Sequence, residues 1–376
     1  MDQEYKILNK YLNDFFLYYN YPLYTDYLSE YLKLSIFANE MIGHAMRMGI
    51  LNFQRPFPEH TLSLSSSLEL CDEFIKTYLS PYYDRWKEYL ADGVIDFSDK
   101  EQILLDGETP RGSWSRTRRE NSQFFREIDV ELKHNYQDPP AIIHEFVHQL
   151  NILKPPVDAE GEETVSRSLF TEAVSIYFET LMYRFMEEKG YSKEEVAKAQ
   201  VSRIQIFSRA VIDSIDGLIL LRDYQLFGKV SSDNLKQARA LHLISFVNEK
   251  KYQEVASRYD KKIASRYDGK IASQKEDDSN ETKLQIDFFT PFRYVLGTLL
   301  AYWSIEQDDP NMPWKFIEFN EDLAKDRDLE YTLDRFHLNS GEFSSLVTAC
   351  EKEFIRCSNH LKDQEQKMRS SRKVVT

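Results

Sequence analysis

Two histidines four residues apart, with a glutamate beside the first, are the residues best suited to chemistry in this chain: His144-Glu145-Phe146-Val147-His148. On a helix, positions i and i+4 fall on one face a turn apart, so both imidazoles can reach one ion. Glu145 then projects toward the ion's open side, where it can take a proton from a water held there. That chemistry is hydrolysis. Ala141-Ile142-Ile143 before the motif and Phe146-Val147 within it are apolar, which implies a buried helix. Burying two imidazoles and a carboxylate without a partner is expensive, and an ion removes the difficulty. The competing reading is a pair of satisfied core histidines on a helix.

A hydrolytic zinc needs a third protein ligand and an open fourth position. The best candidate is Glu172, in Leu169-Phe170-Thr171-Glu172-Ala173-Val174-Ser175-Ile176-Tyr177-Phe178-Glu179. Glu172 interrupts an apolar helix face, and the small Ala173 and Ser175 let two helices approach closely. Glu179 lies two turns further along the same face, placed to accept the free N–H of a ligating histidine. The bland alternative for Glu172 is a solvated helix glutamate.

The elements that must position these residues are mostly helical. Only 12 Gly and 12 Pro interrupt long stretches rich in Leu, Glu, Lys and Tyr, and 42% of the chain is hydrophobic. Residues 1–50 and 65–92 read as amphipathic helices, with a breaker at Arg55-Pro56-Phe57-Pro58. DGETPRGSWS, from Asp106, reads as a loop. FFREIDVELK (124–133) reads as a short strand, because Ile128, Val130 and Leu132 alternate with polar residues. Asp138-Pro139-Pro140 then opens the helix of the motif, which stops at Lys154-Pro155-Pro156. A long helix runs from about Val165 to Lys189 and ends at Gly190. Ser192 with Glu195 forms a capping box for another, reaching about Phe227. The expected division is an N-terminal helical region, 1–105, and a catalytic region, 106–376. A flexible insertion is expected at 254–283, carrying the tandem octads ASRYDKKI and ASRYDGKI (256–271).

The net charge of −14 excludes general nucleic-acid binding, which needs a basic face. Cys71, Cys350 and Cys357 are too few and scattered for a disulfide framework and read as buried or half-buried thiols. The N-terminus lacks the features of a Sec signal, and no run approaches the ~20 apolar residues of a membrane span. The expectation is a soluble, cytoplasmic protein without membrane insertion, with export by a signal-independent route left open. Arg116-Thr117-Arg118-Arg119 reads as a solvated basic loop, with binding of a peptide carboxylate as the alternative. His242, Tyr177 and Tyr183 read as core packing.

HEFVHQLN followed by FTEAVSIYFE resembles the thimet oligopeptidase and oligoendopeptidase F family of zinc peptidases. That family pairs an HExGH helix with a glutamate about two dozen residues on, in an E-x-x-S-x-x-x-E-like helix. Here 23 residues separate His148 from Glu172, and Ser175 and Glu179 fall at the pattern's Ser and second Glu. Upstream, RGSWS and FFREIDVEL are similar to the loop and strand before the metal helix. Downstream, IDFFTPFRYVLGTLLAYW looks like the tyrosine-rich helix that lines the cleft. The resemblance implies a mainly α, gluzincin-type metallopeptidase with a small β-sheet edging the active-site cleft. It implies one zinc ion on His144, His148 and Glu172, Glu145 as general base, and Tyr294 as a helper that steadies the oxyanion. The implied activity is endopeptidase hydrolysis of a peptide or protein substrate, with the strand Ile128–Leu132 pairing edge-on with it.

The chain departs from the pattern in three places. Val147 replaces the family's glycine, Asp287 and Phe288 stand where a histidine precedes the tyrosine segment, and Phe292 stands where a second tyrosine is expected. These changes bear on substrate preference and turnover, not on the ligands or the base. They also leave a rival reading, a catalytically inactive peptidase-like scaffold that binds a peptide or protein partner. A helical structural domain with a chance HExxH is the third.

Overall fold

The computed structural model describes residues 61–99, 113–120, 123–151, 165–201, 292–324 and 348–357, with a few further residues within 203–210 and 336–360. Helix dominates these residues, and a single three-stranded sheet accompanies it. The two octads and residues 1–60 lie outside the described residues, as do His242 and the expected helix beyond residue 210.

The alternation in FFREIDVELK builds strand β3, Gln123–Leu132, whose Ile128, Val130 and Leu132 are buried. Its sheet has the order β1-β3-β2. β1, Ile95–Asp99, runs parallel to Ile128–Leu132. β2, Trp114–Glu120, runs antiparallel to Gln123–Asp129. Two expectations are corrected here. The basic cluster Arg116–Arg119 is not a loop but part of outer strand β2, as are Trp114 and Ser115 of the expected loop. Nor is Ile128–Leu132 open for edge-on pairing. β1 occupies one side throughout, β2 covers the other as far as Asp129, and Ser113 Oγ accepts the Glu131 N–H at 3.1 Å. The sheet's outer strands are β1 and β2, and an extended partner would have to add there.

Five residues after β3, Asp138 begins the first of the two helices that matter most. The carboxylate turns back to accept the Lys133 N–H at 2.8 Å, which ties the strand's end to the helix's first turn. With Leu64–Tyr78 as α1 and Tyr83–Ala91 as α2, this helix is α3, Asp138–Asn151. Pro139 and Pro140 occupy its first turn, where missing N–H groups cost no bond. Pro81 separates α1 from α2 within a short 3₁₀ turn. α3 is covered on several sides. Ile142, Ile143, Phe146, Val147 and Leu150 are all buried, β3 and β2 pack along it, and Trp86 and Tyr89 of α2 meet Phe146 edge-on at 5.3 and 6.1 Å.

Helix α4, Val165–Glu188, lies against α3 and still more extensively against α5, Phe292–Glu306. Gly297 makes the second contact possible. A Cβ there would sit 3.0 Å from Ala173 N and 3.0 Å from Ile176 Cδ1, so the helix backbones meet beside Glu172. This is the close approach that Ala173 permits. Tyr177 stacks on Phe316 of α6, Met312–Ala324, with ring centres 3.9 Å apart, and Tyr183 is buried. Both are packing aromatics, as expected. Cys71, Cys350 and Cys357 are buried free thiols. Residues 193–201 are helical, and the Glu195 N–H points at Ser192 Oγ, 3.5 Å away, as the capping box requires. No helix among the described residues is long and apolar enough to cross a membrane.

Candidate metal centre

α3 and α4 bring His144, His148 and Glu172 to one point. The Nε2 atoms of the two histidines are 3.0 Å apart, and each lies 3.4 Å from Glu172 Oε2. Donor atoms at three corners of a tetrahedron around an ion 2.0–2.2 Å away stand roughly 3.3–3.6 Å apart. The observed triangle is close to that size. Acceptor atoms held so near one another repel unless a proton or a cation lies between them. Among the described residues these three side chains form the group able to hold a metal ion.

Glu179, two turns along α4 from Glu172, places Oε2 2.8 Å from His144 Nδ1. A carboxylate can only accept, so Nδ1 carries a proton and donates it, and Nε2 is the ring atom that faces the triangle. Glu172 and the residue that orients His144 thus both belong to α4. The side chains of His144, His148 and Glu172 are 11%, 13% and 6% exposed, so the site is buried without being sealed.

The charges around the triangle also fit a divalent cation. Glu145, Glu172 and Glu179 are buried, and among the described residues the guanidinium paired with this group is the buried one of Arg203. Three carboxylates against one guanidinium leave two negative charges when both imidazoles are neutral. Without an ion, protons partly fill the deficit. Burial alone would lower the His144 pKa, but hydrogen bonds with Glu172 and Glu179, and the charges of Glu179 and Glu145, carry it up to about 10. Burial would raise Glu172, yet the charge of His148 and hydrogen bonds from both histidines hold it well below the usual carboxylate range. Glu179 is likewise lowered against its burial, by Arg203 first and then by His144.

His144, His148 and Glu172 are thus brought together, with Glu179 hydrogen-bonded to the first of them. Glu145 follows His144 on α3, is buried, and contributes to the field at that histidine. Tyr294, on α5, is half-buried at the edge of the core and reaches the cluster through Arg203, whose guanidinium carbon lies 5.9 Å from the ring centre. Arg203 itself was not anticipated. The one signal for it in the sequence is an arginine set between the buried Val201 and Ile204 of an apolar helix face.

No protein-family model matches the chain. No curated protein matches it either. Among solved structures, one protein from Chlamydophila abortus, provisionally described as a peptidase, is 15% identical with a TM-score of 0.49. The alignment covers 88% of this chain, which spans about half (55%) of that structure. At that similarity nothing of the neighbour's activity transfers to this chain.

Proposed function

We propose that the chain is a zinc-dependent endopeptidase of the gluzincin type, akin to the thimet oligopeptidase and oligoendopeptidase F family. The observation that carries this reading is the triangle of two Nε2 atoms and one carboxylate oxygen, with Glu179 fixing the His144 tautomer. The pattern of HEFVHQLN and FTEAVSIYFE adds its support. His144, His148 and Glu172 would hold the ion. When bound, zinc supplies a Lewis acid that acidifies its water toward a pKa of about 7 and polarises the scissile carbonyl. Glu179 keeps the His144 lone pair aimed at the ion. Glu145 takes the proton of the attacking water and delivers it to the leaving amine. Tyr294 donates its phenol proton in a hydrogen bond to the oxyanion as the carbonyl becomes tetrahedral. The substrate class is a peptide or protein segment in extended form.

The test is zinc content and cleavage of a quenched-peptide library, for wild type and Glu145→Gln side by side. Both proteins are expected to bind one zinc, and the variant to lose about 10²–10⁴-fold in cleavage rate. Bound zinc with no cleavage by wild type would instead favour the partner-binding scaffold or a single narrow protein target. Absence of bound zinc after loading would dismiss the ligand assignment.

A further inference from the structure

Behind the ligand set stands a buried cation that the proposed chemistry does not use. Arg203 is 5% exposed. Its Nε lies 3.6 Å from Glu179 Oε2, the same oxygen that receives the His144 Nδ1–H at 2.8 Å. Its guanidinium carbon lies 5.9 Å from the centre of the Tyr294 ring, within cation–π range. The Nε and Nη2 atoms are buried without a hydrogen-bond partner among the described residues. A guanidinium cannot shed its proton, so at this depth it needs a nearby anion. Among the described carboxylates, Glu179 makes that ion pair.

We infer that Arg203 is a positioning residue of the metal centre. Its guanidinium pairs with the Glu179 carboxylate that orients His144, and the same group lies within cation–π range of the Tyr294 ring. The inference rests on the metal-site reading above. Physically, a carboxylate that orients a ligating histidine is effective only when its own direction is fixed, and the Arg203 cation pairs with the very oxygen of Glu179 that faces His144. Because one guanidinium touches both Glu179 and Tyr294, the geometry of the ligand and that of the tyrosine are set together.

The experiment measures the zinc dissociation constant by chelator competition, on protein shown to be folded by circular dichroism. The proteins compared are wild type, Arg203→Met, Arg203→Lys, Glu179→Gln and the double variant Glu179→Gln/Arg203→Met. Arg203→Met is expected to weaken zinc binding by about 10–100-fold, the range seen when an outer-shell partner of a ligand is lost. Arg203→Lys is expected to fall between that variant and wild type. In the Glu179→Gln background, removing Arg203 is expected to cost no further affinity, a result that a merely structural role would not give. Wild-type affinity in Arg203→Met, or an undiminished further loss in the double variant, would overturn the inference. Should Arg203→Met fail to fold, Arg203→Lys decides: weakened zinc binding supports the role and wild-type affinity overturns it. A wild-type protein that binds no zinc removes the metal reading and this inference together. Zinc-binding wild type with an unaltered Arg203→Met removes the inference alone.

Discussion

α4 carries two buried polar clusters, one near its middle and one near its C-terminal end, and they are built on opposite logic. At the end, Glu353 from the helical residues 351–357 receives Arg184 Nη2 at 2.6 Å, Gln200 Nε2 at 2.9 Å, and Arg356 Nε and Nη2 at 3.0 and 2.8 Å. Arg356 Nη1 also donates to Glu187 at 2.7 Å. Two carboxylates face two guanidiniums, and both oxygens of Glu353 are taken. In the middle, three carboxylates face one guanidinium, and two imidazole nitrogens and a carboxylate oxygen crowd together. The first cluster is balanced by its own residues and acts as a clasp between helices. The second reaches balance only when something positive enters. Burial of charge does not mark a site by itself; an unfilled balance does.

The sharpest test of this contrast removes one carboxylate from each cluster. Glu353→Gln leaves two arginines that cannot give up their charge, and it is expected to cost about 3–5 kcal/mol of stability by denaturant unfolding. Glu172→Gln is expected to cost less in metal-free protein, because the histidines can respond by shedding a proton. Equal losses would erase the distinction. Zinc at a hundredfold its dissociation constant is expected to stabilise wild type by about 2.7 kcal/mol and the Glu353 variant equally, but the Glu172 variant hardly at all. Thermal unfolding with and without zinc reads this directly.

Gly297→Ala probes the packing beside Glu172. Its methyl meets Ala173 backbone at 3.0 Å, so the helices must part, with an expected loss of about 1–3 kcal/mol and weaker zinc binding. An unchanged affinity would mean that the α4–α5 contact does not set the ligand geometry.

The smallest effects are those of pH on metal-free protein, and they run in opposite directions. His144 is raised in the fold, so its stabilisation is complete below about 6.5, its unfolded value, and fades as pH climbs toward about 10. Glu353 is lowered, against its burial, by Arg356, Arg184 and Gln200. Its stabilisation is present above about 4.3 and fades as acid protonates it in the fold. Glu353→Gln should therefore flatten the acid limb of a stability–pH profile, and His144→Ala the alkaline limb.

The grouping of His144, His148 and Glu172 was legible in the sequence because helix geometry turns spacing into position. His144 and His148 are one turn apart, and Glu172 and Glu179 two turns, so residue numbers alone place each pair on one face. β3 was legible for the same reason, through its alternation. Arg203 was not, because its partner Glu179 lies on another helix and no local period links them. β1 has five residues and owes its place to β3, which the sequence around Ile95 does not announce. β2 holds three arginines and a glutamate, and an outer strand tolerates that polarity because only one of its edges is paired within the sheet.

The three candidate ligands and Glu179 come from α3 and α4, whereas Tyr294 and Gly297 follow 115 or more residues after Glu179. As the chain leaves the ribosome, α3 and α4 can meet across only 13 intervening residues, an inexpensive step in entropy. The face of α4 that Gly297 later covers is meanwhile left bare, with Ala173 and Ile176 open to wrong partners. An ion captured at that stage would hold the pair in register until α5 arrives, so the metal would serve the newborn chain as a folding clamp before it serves any reaction.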